Sequence, residues 1–161
     1  MTQPAPTLSP TVDARGRFRS TEPVPPVVTA AFWILVVGSA LTAFILIATA
    51  IRIAGVNSDA AVPVLGVTLL GGAVGILVRI GIAVTIRNGY GPARIFLTVV
   101  SAYSIVVNAL NGFDPIGLLV LASVVVPVIL VWLPRANQYF RAVGVARRQA
   151  KAAGVSVGFL G

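Results

Sequence analysis

Polar residues along this chain fall in clusters, and between the clusters lie four uninterrupted apolar runs. They cover Val27–Ile51, Val62–Ile86, about Pro92–Leu110 and Pro115–Leu133. Each reaches the roughly 20 helical residues that cross a bilayer. Their borders carry start signals. In "NGFDPIG", Asn111-Gly112 predicts a turn, Asp114 an N-cap and Pro115 the first helical position. In "NGYGPAR", Gly89 and Gly91 open the chain and Pro92 starts the next helix. Ser58 or Asp59 is placed to cap the second run, and Pro127 falls inside the fourth, where it removes one backbone hydrogen bond. Short linkers make successive helices antiparallel neighbours. The expected fold is therefore an all-α membrane protein, an antiparallel four-transmembrane-helix bundle over residues 25–133.

The flanks differ. Residues 1–24 are rich in Pro, Thr and Ser without apolar periodicity, and are expected to be a disordered tail. Because a 26-residue polar tail precedes the first run, that run is expected to be an anchor and not a cleaved signal, despite "ATA" at Ala48–Ala50. Residues 134–161 form a basic tail containing an amphipathic helix. Phe140, Val143, Ala146 and Ala150 share one stripe, and Arg141, Arg147, Arg148 and Lys151 line much of the rest. Trp132 and Tyr139 stand near the boundary. Such a helix is expected to lie on an anionic membrane surface, making those four cations membrane-surface residues and anionic lipid a partner.

Composition agrees with this reading. The 161 residues are 57% hydrophobic and 10% charged, with mean hydropathy +0.98. A soluble domain carries about a quarter charged residues. The net charge of +8 comes with a strong asymmetry. Arg15, Arg17, Arg19, Arg87, Arg94, Arg135, Arg141, Arg147, Arg148 and Lys151 would share one side of a four-span protein, against Arg52 on the other. The positive-inside rule then predicts cytoplasmic N and C termini in a bacterial plasma membrane. Five cations spread along the last helix are too sparse to indicate nucleic acid, and none is expected as a partner.

Chemistry is scarce. There is no Cys and no His, and the four acids, Asp13, Glu22, Asp59 and Asp114, all lie outside the apolar runs. Enzymatic catalysis, a bound metal and a cofactor are therefore not expected. Small four-span multidrug exporters match in size but depend on an intramembrane glutamate. Small four-span fluoride channels work as dual-topology pairs, which the charge asymmetry contradicts.

One charge breaks the pattern. Arg79 lies seven residues before Ile86, roughly 10 Å inside the second run at 1.5 Å per residue. At mid-membrane an arginine costs at least about 2.5–3.5 kcal/mol. Gly72, Gly75 and Ala83 share its broad face, so it is expected to point toward packed helix. Ser101, Tyr103 and Ser104 of the third run are expected at similar depth as hydrogen-bonding partners. The missing anion could come from lipid phosphate or from an acidic residue of a partner subunit. Small residues mark candidate seams: Gly38, Ser39, Thr42 and Ala43 in the first run, and Gly71, Gly72 and Gly75 in the second, with Gly71 and Gly75 forming GxxxG. Arg79, Gly71, Gly75, Ser101 and Tyr103 are thus the candidate partner or lipid contacts.

"RNGYGPARIFLTV" (Arg87–Val99) resembles the basic, aromatic hairpin between the second and third helices of small actinobacterial four-span membrane proteins, with Tyr90 and Gly91-Pro92 where that family favours tryptophan. "WLPRANQYFRA" (Trp132–Ala142) resembles the element closing the last helix in the same proteins. The resemblance implies topology and lineage and carries no activity. The functional expectation is a non-catalytic accessory or structural subunit of a larger cell-envelope complex, packed against larger integral membrane subunits. A respiratory assembly or an Mce-type lipid importer are candidate hosts. The alternative is a self-assembling channel or carrier for an anion or lipid, with Arg79 lining the path.

Overall fold

A computed structural model describes residues 11–12, 18–19, 23–55, 61–112 and 114–154. The described chain is helical apart from one two-residue antiparallel pair in the N-terminal tail, β1 (Thr11–Val12) with β2 (Phe18–Arg19). The expected disorder of residues 1–24, the expected caps Ser58 and Asp59, and the last residues of the C-terminal tail otherwise fall outside the described residues. Five helices follow: α1 (Pro26–Ala54), α2 (Ala61–Arg87), α3 (Pro92–Asn111), α4 (Pro115–Trp132) and α5 (Pro134–Ala152). The first four are long and apolar enough to cross a membrane.

The helix borders follow from local chemistry. Asp114 takes extended backbone and its carboxylate accepts the Gly117 N–H at 3.2 Å, with Pro115 at the first helical position. That satisfies one of the helix's orphan donors. Gly112, at φ +85°, ends α3 in the left-handed conformation that glycine adopts without a Cβ penalty. Pro92 starts α3, and α4 runs on through a fully buried Pro127. Leu133, in extended backbone before Pro134, separates α4 from α5.

Packing is uneven around the helices. α1 lies extensively along α2 and α4, and α4 along α3, whereas α2 and α3 meet over far less of their length. The expectation that every pair of successive helices packs as neighbours is thus corrected for α2 and α3. Their hairpin keeps the adjoining ends together, but α1 and α4 occupy the middle of the assembly.

Packing is uneven along the helices as well. Arg87 at the end of α2 lies over the Phe32 ring near the start of α1, and Arg94 at the start of α3 lies over Trp132 at the end of α4. These four helix ends therefore gather at one end of the molecule, and α5 closes beneath them. Almost all the core is there: Val28, Ala31 and Leu35 of α1, Ile82, Ala83 and Ile86 of α2, Ala93 and Leu97 of α3, Val124 and Val131 of α4, and Ala136, Tyr139, Phe140 and Val143 of α5. Toward the other end no side chain of 40–54, 62–78, 102–110 or 115–123 is buried. One end is packed by the chain itself, and the other leaves its apolar surface to whatever surrounds it.

Candidate functional site

Two places concentrate polar groups, one at mid-span and one at the packed end. At mid-span Arg79 is buried, at 9% exposure. Its Nη1 donates to Thr42 Oγ1 at 3.0 Å, and that hydroxyl donates in turn to the Gly38 carbonyl at 2.8 Å. The expectation that α3 would supply the acceptors is corrected. Tyr103 is 69% exposed and turned away, Ser104 donates to its own helix at Val100 O, and Ser101 is buried without reaching Arg79. The reason is the helix arrangement: α1, not α3, runs along α2 at this depth. Thr42 had stood out only as a small residue, yet its hydroxyl can accept one bond while donating another.

The small-residue seams also resolve. A Cβ at Gly38 would lie 2.5 Å from Ser123 Cβ, so this glycine sets the α1–α4 approach. A Cβ at Gly72 would lie 2.6 Å from the Leu46 side chain, so Gly72 sets the α1–α2 approach. Gly71 and Gly75 have nothing within 4 Å of such a Cβ. The GxxxG pair therefore takes no part in internal packing and faces outward.

The second place is built from the α2–α3 hairpin and α5. Gly89, at φ +69°, turns the hairpin so that its backbone lies against Val143, where a Cβ would come within 2.9 Å of the valine side chain. Tyr139 Oη donates to Arg87 O at 3.0 Å, and Arg147 Nη2 donates to Asn88 O at 2.9 Å. Arg147 also lies over the Tyr90 ring, 5.4 Å from its centroid. Burial lowers the pKa of Arg147 from the ordinary arginine value, and the nearby Tyr90 and Tyr139 hydroxyls oppose that shift. Arg94 is gripped from three sides, lying 4.6 Å from the Phe140 ring centroid and 5.3 Å from that of Trp132, and donating to Asn137 Oδ1 at 2.9 Å.

This arrangement corrects the assignment of Arg147 to the membrane-facing side of α5. Arg141, Arg148 and Lys151 are exposed as expected, but Arg147 turns inward to the hairpin. The signal was in the spacing. Arg147 follows Val143 by four residues and Phe140 by seven, which puts it on the buried stripe. Of that stripe Phe140, Val143 and Ala150 are buried, and Ala146 is half-buried. Among the described residues no three His, Cys, Asp or Glu side chains come together to hold a metal.

No family model, no curated protein and no solved structure matches this chain.

Proposed function

We propose that this chain is a non-catalytic accessory subunit of a larger membrane complex, built as an antiparallel four-helix transmembrane bundle with both termini in the cytoplasm. The observation that carries this reading is the outward face of α2. Residues 62–78 have no buried side chain, and Gly71 and Gly75 sit on that half with no described neighbour within 4 Å of a Cβ built there. In lipid, helices associate where small residues let backbones approach. An unused glycine pair at four-residue spacing is a docking face for an apolar helix of a larger integral subunit. Arg79 serves the bundle in this reading, because its guanidinium is already held by Thr42.

The test is mild-detergent purification of the tagged chain beside a Gly71→Leu/Gly75→Leu variant. Neither leucine meets an internal neighbour at its Cβ, so the variant should insert and accumulate normally. The expected result is one reproducible set of larger membrane subunits with the natural chain and its loss with the variant. A homogeneous homo-oligomer that carries anion or lipid flux in vesicles would replace this reading with the channel or carrier alternative.

A further inference from the structure

The α2–α3 hairpin and α5 enclose an open hollow of about 550 Å³, lined by Tyr90 and four arginines, Arg94, Arg141, Arg147 and Arg148. Two of these guanidiniums are fixed in place. Arg147 is held on Asn88 O and over Tyr90, with its Nε buried and unpaired. Arg94 is held on Asn137 and between Phe140 and Trp132. The other two, Arg141 and Arg148, line the opening with exposed side chains. Among the described residues the one carboxylate belongs to Asp114, which starts α4 at the opposite end. Four like charges therefore converge on one concavity with no described acid to neutralise them. Like charges brought together this way favour an anion between them.

Several features narrow the anion. Guanidiniums present paired N–H donors that match the oxygens of phosphate. The hollow lies where α3 starts and α4 ends, beside Trp132, an aromatic of the type that settles at headgroup level. We propose that this hollow is a binding site for a phosphate group, carried by an anionic membrane phospholipid or by a small soluble phosphate. Arg94 and Arg147 form its preset wall, and Arg141 and Arg148 close on the ligand. The site needs both the hairpin and α5, which distinguishes it from a basic helix spread over a charged surface.

Gly144 supplies a test that leaves charge untouched. It lines the hollow, and a Cβ there meets nothing within 4 Å, so Gly144→Leu adds bulk to the hollow without a clash at its Cβ. Arg135, exposed on the same helix but outside the hollow, is the charge control. Full-length protein purified in detergent would be titrated with dioctanoyl-phosphatidylglycerol, with dioctanoylglycerol lacking phosphate, and with inorganic phosphate, and bound ligand read by native mass spectrometry. The natural chain should retain one phosphatidylglycerol and no diglyceride. Arg148→Gln and Gly144→Leu should each weaken retention by about tenfold or more, with Arg135→Gln staying within about twofold. Displacement of the lipid by inorganic phosphate would assign the site to soluble phosphates, and retention in its presence would assign it to phospholipid. Retention by Gly144→Leu equal to the natural chain would overturn the proposal. So would a loss in Arg135→Gln as large as that in Arg148→Gln, since both results describe diffuse attraction and not a pocket.

Discussion

Arg79 and Thr42 join the middles of α2 and α1 through a 3.0 Å hydrogen bond, and the Thr42 hydroxyl proton is already committed to Gly38 O. The hydroxyl therefore presents its lone pairs to the guanidinium in a fixed direction. A mid-span charge that no described carboxylate pairs is held by an oriented neutral acceptor.

Replacing only the acceptor should therefore hurt more than replacing the pair. Thr42→Val leaves a charged donor buried and unmatched, at a cost of about 1–3 kcal/mol. Thr42→Ser keeps the acceptor and should cost little. Adding Arg79→Leu to Thr42→Val should recover most of the loss, because the uncompensated charge is gone. Thermal unfolding of the natural chain, Thr42→Val, Arg79→Leu and the double variant in one detergent measures the coupling, with Thr42→Ser as the conservative control. Additive losses would show that the bond contributes nothing.

The glycines should separate into two classes. Gly38→Ala forces a Cβ to within 2.5 Å of Ser123 Cβ on α4, so helices must shift. A loss of about 1–3 kcal/mol is expected for such overpacking. Gly75→Ala meets open space and should be neutral or stabilising by up to about 1 kcal/mol, since alanine is the better helix former. Equal shifts in unfolding temperature for the two variants would contradict the assigned seams.

Docking of α5 should depend on the hairpin. Gly89→Ala places a Cβ at φ +69° and against Val143. Left-handed backbone strain of about 1–3 kcal/mol follows, before the clash is counted. Tyr139→Phe removes the bond to Arg87 O and should cost about 0.5–1.5 kcal/mol. Limited trypsin digestion reads both, because as α5 lifts and loosens Arg147 becomes accessible and the helical backbone at the exposed Arg141 and Arg148 becomes cleavable. Cleavage should accelerate more for Gly89→Ala than for Tyr139→Phe, and an unchanged rate in both would contradict the docking.

Topology is checked by reporters. Fusions after Gly161 and within residues 57–59, between α1 and α2, should report opposite sides of the membrane, with the Gly161 fusion cytoplasmic. Reporters on the same side would exclude four spans.

The sequence by itself determined the elements. Four helices with the length and composition of membrane spans, the Asp114 cap, the Gly112 turn and the Pro92 start are set by residues within one or two helical turns of each other, where 3.6-residue periodicity and backbone preference act directly. That Phe140 and Val143 share one face was legible for the same reason, but that this face packs into the core and not on a membrane surface came from the tertiary structure. What only the tertiary structure decided is lateral. An apolar run is greasy on every side, so its pattern does not say which helix lies beside it. The partner of Arg79 thus passed from α3 to Thr42 of α1, and of the three candidate seam glycines of α2 it is Gly72, not Gly71 or Gly75, that meets a neighbouring helix. Arg147 left the exposed face because the hairpin offered its guanidinium a carbonyl fifty-nine residues away in sequence, at Asn88, and the ring of Tyr90 beside it. Neighbours chosen across such distances depend on how whole helices pack, and that packing follows from close approach at a few positions such as Gly38 and Ser123.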